Sequence, residues 1–124
     1  MKFCTVINCM DGRIQIPVIK YLQEKFDAEY VDSVTEPGPN LILANRNDKN
    51  LVKSILNRVA ISVEKHNSVG IAVVGHHDCA GNPSEYESQL DQIKKSIKFI
   101  SSIYGGLEVI GLWVNSDWTV EEVD

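Results

Sequence analysis

Residues 69–74 read Val-Gly-Ile-Ala-Val-Val, a run almost free of polar groups and closed by the turn-forming stretch 75–83. A strand with one wet face would alternate, so this run suits a central parallel strand buried on both faces. Such a strand needs helices above and below it, and the chain supplies them. Residues 3–8 are apolar and β-prone and stop at Cys9-Met10-Asp11-Gly12-Arg13, which reads as a loop. In 15–26, Ile16, Ile19, Leu22 and Phe26 recur at helical spacing, with Pro17 expected in the first turn. A second strand over 30–34 is followed by Thr35-Glu36-Pro37-Gly38-Pro39-Asn40, whose prolines and glycine predict a long, rigid loop without regular structure. Asp48 is placed to cap a second helix with Leu51, Val52, Ile55, Leu56, Val59 and Val63 on one face, ending near His66 and Asn67. In the third helix, Ser84 and Glu87 have capping-box spacing, and Tyr86, Leu90, Ile93, Ile97, Ile100 and Tyr104 keep the helical period up to Gly105-Gly106. Residues 107–114 make a fourth strand, and the remainder, with Trp118, reads as a tail.

Strand and helix thus alternate, and right-handed crossovers build a parallel sheet from such a pattern. The expected fold is a single-domain α/β/α sandwich over residues 1–124, with a central four-stranded, mainly parallel sheet in the order 2-1-3-4. The topological switch then falls between the first and third strands, where ligands bind outside the carboxyl ends. With 124 residues and 44% hydrophobic content the chain sustains one core without staples. A formal charge of -5 offers no field for phosphates and argues against nucleic acid as a partner. No apolar stretch approaches the roughly 20 residues of a spanning helix, and no signal-peptide pattern is present, so no membrane partner and a cytoplasmic location are expected.

The two polar turns at the switch point hold the chemistry. Cys9 and Asp11 come from the first, His76 and Cys79 from the second. Two thiolates, an imidazole and a carboxylate make a tetrahedral zinc set; structural sites use four protein ligands, and catalytic sites leave one position for water. Taken singly, Cys9 and Cys79 are also what small buried hydrophobes look like, and His76 what a hydrogen-bonded strand-end residue looks like. Arg13, one residue beyond Asp11, forms either an ordinary surface ion pair or a dyad that keeps the carboxylate ionised and oriented.

The motif Cys9-x-Asp11-x-Arg13 followed by His76-x-x-Cys79 resembles the β-class carbonic anhydrases. The resemblance takes in both motifs, their order and the strand and helix alternation between residues 3 and 114. It implies zinc held by Cys9, His76 and Cys79, and reversible hydration of carbon dioxide to bicarbonate. Asp11 would either pair with Arg13 and accept a hydrogen bond from water on the zinc, or itself close the site as fourth ligand. Zinc lowers the pKa of bound water to about 7, a magnitude that belongs to carbonic anhydrase itself and comes to this chain only with the resemblance. Family members also pair along this sheet, which implies a homodimer or larger homo-oligomer. In the family the loop after the second strand reads like Arg-Asn-Ala-Gly-Asn; here only Gly38 and Asn40 correspond, and Ala80 stands where a glycine is expected.

The rival keeps the zinc and drops the reaction: a metal-binding module closed by Asp11. A nucleotide binder lacks a glycine-rich phosphate loop after the first strand. Outside the turns, Cys4 reads as core, facing away from Cys9 because an odd separation reverses the side of a strand. His77 reads as a solvated loop residue, His66 as a helix-end residue, Asp78 as a turn residue, and Trp113 and Trp118 as packing or interface groups.

Overall fold

The computed structural model describes residues 1–124. The chain runs β1 (Phe3–Cys9), α1 (Gly12–Lys25), β2 (Tyr30–Glu36), α2 (Pro39–Asn45), α3 (Lys49–Ala60), a π-helical turn (Ile61–Lys65), β3 (Gly70–His76), α4 (Tyr86–Ile103), β4 (Glu108–Val114) and β5 (Val120–Val123). The sheet order is β2-β1-β3-β4-β5, parallel except for the last pair. All seven residues of β3 are buried, as its apolar run requires. Odd and even positions serve opposite faces. Cys4, Val6, Ala72, Val74, Ile110, Leu112 and Val114 meet Ile14, Val18 and Leu22 of α1. Ile7, Ile71 and Val73 meet Leu43, Ile55, Val59 and Ile100 of the other three helices. The structure is therefore an α/β/α sandwich, and no helix is long and apolar enough to cross a membrane.

Several expectations need correction. The sheet has five strands, because the tail returns as β5 antiparallel to β4, pairing Val114 with Val120 and Gly111 with Val123. Its burial is too slight to leave an apolar pattern in the sequence. Helix α1 begins at Gly12 and not at Gln15, since the Asp11 side chain accepts from the Arg13 N–H and caps it. Pro17 accordingly lies inside the helix, where its missing N–H frees the Arg13 carbonyl from the helical ladder. The stretch 35–40 is not a structureless loop. β2 runs through Glu36, and Pro39 starts the short α2, a position where a proline loses no helical bond. Gly38 makes the junction with φ +69, which favours glycine. Ser84 does not cap α4, which starts after Glu85 without a side-chain cap; its Oγ accepts from Gln92 Nε2 at 3.2 Å instead.

The β2–α2 junction packs directly on the β3–α4 turn. A Cβ on Gly81 would lie 2.6 Å from the backbone carbon of Pro37, and one on Gly38 would lie 2.7 Å from Asn82 Cβ. Around this contact Asn40, Asn82 and Gln89 are all buried polar residues and satisfy one another. Asn82 Nδ2 donates to Asn40 Oδ1 at 3.3 Å and to Gln92 Oε1 at 2.7 Å, and Asn40 Nδ2 donates to Gln89 Oε1 at 3.1 Å. Backbone cannot yield as a side chain does, so Gly81→Ala is expected to lose ~1–3 kcal/mol in denaturant unfolding by overpacking. Gly106→Ala, where a Cβ meets nothing within 4 Å, is expected to be neutral or stabilising by under ~1 kcal/mol.

Candidate metal centre

β1 pairs with β2 through Cys9↔Glu36, and β3 with β4 through His76↔Val114, so both outer pairings reach the carboxyl ends. β1 and β3 pair only from Thr5↔Ile71 to Ile7↔Val73. Beyond Ile7 the ladder between the two central strands ends, at the switch point where sheets of this kind bind ligands. Cys9 is the last residue of β1, His76 the last of β3, and Cys79 follows in the turn. Here the parity argument for Cys9 breaks down: although an odd number of positions from Cys4, it joins the same buried cluster. At the parted end of the sheet the two faces meet, so a side chain there is no longer confined to one of them.

The three donors converge. Cys9 Sγ and Cys79 Sγ are 3.8 Å apart, and these sulfurs and a ring nitrogen of His76 all lie within 4.8 Å of one another. Cys9, His76 and Cys79 are 4%, 1% and 5% exposed, so only a small species reaches them. His76 Nδ1–H donates to the His77 carbonyl at 2.7 Å, which places the ring's lone pair on Nε2. That Nε2 is buried with no hydrogen-bond partner. A buried acceptor is rarely left so, and a cation between the sulfurs satisfies it. Two sulfurs on a tetrahedral zinc at ~2.3 Å each stand about 3.8 Å apart, so the donor set fits that metal.

Electrostatics point the same way. Burial resists ionisation of Cys9, but the imidazole of His76 and the backbone N–H groups of Gly38 and Asp11 outweigh it and hold the thiol down at about 7. Burial and then the charge of Cys9 push Cys79 up to about 11. Burial alone would lower His76, yet the neighbouring Cys9 raises it. Both thiols ionise together only with positive charge between them, which a divalent metal supplies.

The expected Asp11–Arg13 pair is formed. Arg13 Nη2 donates to Asp11 Oδ2 at 2.7 Å, and Arg13 Nε reaches both carboxylate oxygens at 3.1 and 3.2 Å. These bonds hold the Asp11 carboxyl down at about 2. Asp11 Oδ2 lies 4.0 Å from His76 Nε2, on the edge of the donor set. Sequence reasoning missed several supports. Gln15 Nε2 ties down the β1–α1 turn by donating to the carbonyls of Cys9 and Asp11 at 2.8 and 2.7 Å. Gln89 Nε2 holds the end of β3 through the His76 carbonyl at 2.9 Å. A helix-borne amide facing a strand end leaves no local signal.

The remaining candidates lie apart. Cys4 is core, with burial pushing its thiol up to about 11. His66 stacks on Phe3 and pairs with Asp32 at 2.6 Å, near the amino ends of the strands. His77 is exposed beside Trp118, and Trp113 packs edge-on against Tyr86.

Over residues 1–124 the sequence matches the family model described as "Putative carbonic anhydrase". The chain belongs to that carbonic anhydrase family. No curated protein sequence matches it. Among solved structures it is similar to β-carbonic anhydrase isoform I of the protozoan Trichomonas vaginalis, at 13% identity and TM-score 0.64, covering 97% of this chain and 81% of that one. The carbonic anhydrase of Glaciozyma antarctica aligns at 14% identity and TM-score 0.67, covering 98% and 81%. A chain from the crystal structures of two tetrameric β-carbonic anhydrases of the filamentous ascomycete Sordaria macrospora aligns at 15% identity and TM-score 0.59, covering 98% of this chain and 80% of that one. At such identities the likeness establishes the shared fold, which in this family member carries the Cys9, His76 and Cys79 group at its switch point.

The low pKa of Asp11 has a sign to test. A depressed carboxyl stabilises the fold above its ordinary value of 3.8, and that contribution is lost as pH falls toward about 2. Asp11→Asn keeps a cap on α1, so the stability gap between parent and variant is expected to be constant near neutrality and to close between those limits. The carboxyl-carbon resonance of Asp11 is expected to titrate near the lower one; a midpoint at the ordinary value would remove the pairing argument.

Proposed function

We propose that the protein is a zinc-dependent lyase that interconverts carbon dioxide and bicarbonate. The observation that carries this reading is the buried, unpartnered Nε2 of His76 between two thiols, beside an Asp–Arg pair, in a chain of the carbonic anhydrase family. Cys9, His76 and Cys79 would hold the metal. Bound zinc supplies a water acidic enough to ionise near neutral pH and a Lewis acid beside the substrate carbon. Asp11, ionised down to about 2, is too weak a base to take a proton at neutral pH. It acts as a hydrogen-bond acceptor that orients the nucleophile, and the proton leaves to solvent. Arg13 keeps that carboxylate charged and turned away from the donors. The near-complete burial of the three donors suits a substrate as small and neutral as carbon dioxide. Two thiols that must stay reduced suit the cytoplasm.

A second reading has its own observation. With Oδ2 only 4.0 Å from His76 Nε2, a modest swing of Asp11 would make it a fourth ligand, and the protein would be a closed zinc module. The Arg13 contact favours the open form.

One zinc per chain is expected, and Cys79→Ser is expected to lose it. Hydration measured from neutral to alkaline pH is expected to rise with pH in the parent and to fall by about 10²-fold or more at neutral pH in Arg13→Ala, with zinc retained. Fully loaded parent without hydration at any pH would reject the enzyme in favour of the closed module.

A homodimer or larger homo-oligomer belongs to the same proposal. Met10, next to Cys9 in the chain, and Ile16 on α1 are 64% and 65% exposed and present apolar surface. Sedimentation at micromolar concentration is expected to give at least twice the chain mass, and a monomer would remove the idea.

A further inference from the structure

Arg13 is a surface residue, and surface ion pairs are individually weak and mobile; the reading of the centre given above needs this one to stay put. Its guanidinium is gripped from three sides. Asp11 accepts from Nε and Nη2, as described. On the far edge, Nη1 donates to Asp78 Oδ2 at 3.2 Å and Nη2 donates to the Asp78 carbonyl at 3.0 Å. Over the planar face lies the Trp118 ring, 4.4 Å from Cζ to centroid. Neither Asp78 nor Trp118 adjoins Arg13 in sequence; they come from the β3–α4 turn and the β4–β5 hairpin.

Both of these residues hold unusual backbone. Asp78 has φ +58 and Trp118 φ +60, and Trp118 is the aromatic among the few non-glycine residues in that region. A bulky side chain stays there only when its surroundings over-determine it. Asn115 provides this: its Oδ1 accepts from the N–H groups of Asp117 and Thr119 at 2.9 and 3.1 Å, and its carbonyl accepts from Trp118 N–H at 2.9 Å. Strand β5 then fastens the hairpin to α1, for Glu122 accepts from Tyr21 Oη at 3.0 Å and pairs with Lys25 at 3.3 Å. The same helix carries Arg13 in its first turn. Two strained turns, anchored to the sheet and to the helix, thus aim one carboxylate and one ring at a single guanidinium.

We propose that Trp118 and Asp78 are positioning residues that lock Arg13 against Asp11 and so keep the Asp11 carboxylate off the metal donors. The ring fixes the guanidinium plane by cation–π attraction, and Asp78 fixes its rotation within that plane. With both in place, the Arg13 side chain has little freedom left to lose when it grips Asp11. Without them the pair reverts to an ordinary exposed ion pair, and Asp11 swings toward His76.

The test follows solvent exchange of the Arg13 Nε–H resonance in isotope-labelled protein as purified, with its metal content measured alongside. Trp118→Gly deletes the ring while relieving the backbone, Trp118→Phe keeps a ring, and Asp78→Asn preserves a side chain that tolerates positive φ. Exchange is expected to accelerate roughly three- to tenfold in Trp118→Gly and in Asp78→Asn, the range a contact of this kind gives, with Trp118→Phe in between. Hydration at neutral pH is expected to fall in Trp118→Gly, in the direction of Arg13→Ala, and to be partly restored in Trp118→Phe. Parent-like exchange in folded Trp118→Gly overturns the proposal. If that variant does not fold, parent-like exchange in Asp78→Asn and Trp118→Phe overturns it equally. A parent without hydration activity rejects the enzyme reading, and the exchange measurement then still decides the lock.

Discussion

The structure depends on the parting of β1 and β3 beyond Ile7 and Val73. Parallel strands buried on both faces force helices to both sides, and the chain must change direction somewhere in the sheet. Where it does, two adjacent strand ends point into the same space with no ladder to fill it. Cys9 and His76 end those strands, and Cys79 lies in the turn that follows. Two thiols and an imidazole are thereby buried together, with His76 Nε2 unpartnered. The donor set is one that a cation would satisfy.

The surroundings of the three donors are rigid. The close contact between Gly81 and Pro37 locks the β2–α2 junction against the β3–α4 turn that carries Cys79. The buried amides of Asn40, Asn82 and Gln89 satisfy one another and the His76 carbonyl, so the end of β3 has one position. A half-satisfied network of this kind would destabilise the fold; a complete one specifies it. The departure at 35–40 from the family's usual loop gains meaning here. Gly38 supplies an N–H toward Cys9, and Asn40 bears on the centre indirectly, through Gln89, which holds the His76 carbonyl.

The charge pattern divides labour between buried and exposed groups. Inside, burial and the charge of Cys9 hold Cys79 protonated, and only positive charge between the two thiols lets both ionise. Outside, Asp11 is held ionised by Arg13 to well below neutral pH, so its carboxylate carries a charge wherever the fold is stable near neutrality. Under the proposed function, open and closed centres would differ in where this one carboxylate points, and in the structure its direction is set by Arg13.

Much of this was legible in the sequence, and the reason is local. The apolar run 69–74 fixes a doubly buried strand because hydrophobic patterning reports burial directly. Spacing puts Cys9, Asp11 and Arg13 in one turn and His76 and Cys79 in another, and strand alternation brings the turns together. Other features were decided by tertiary structure alone. β5 is half-exposed and carries little apolar signal, so its pairing with β4 appears only once β4 is in place. The start of α1 at Gly12 depends on how Asp11 is turned. The fourth side of the centre depends on contacts distant in sequence. Trp118 reaches Arg13 across more than a hundred residues, through a hairpin whose position is set by hydrogen bonds to β4 and α1. Periodicity records which face of an element is buried; it does not record which distant side chain comes to lie over it.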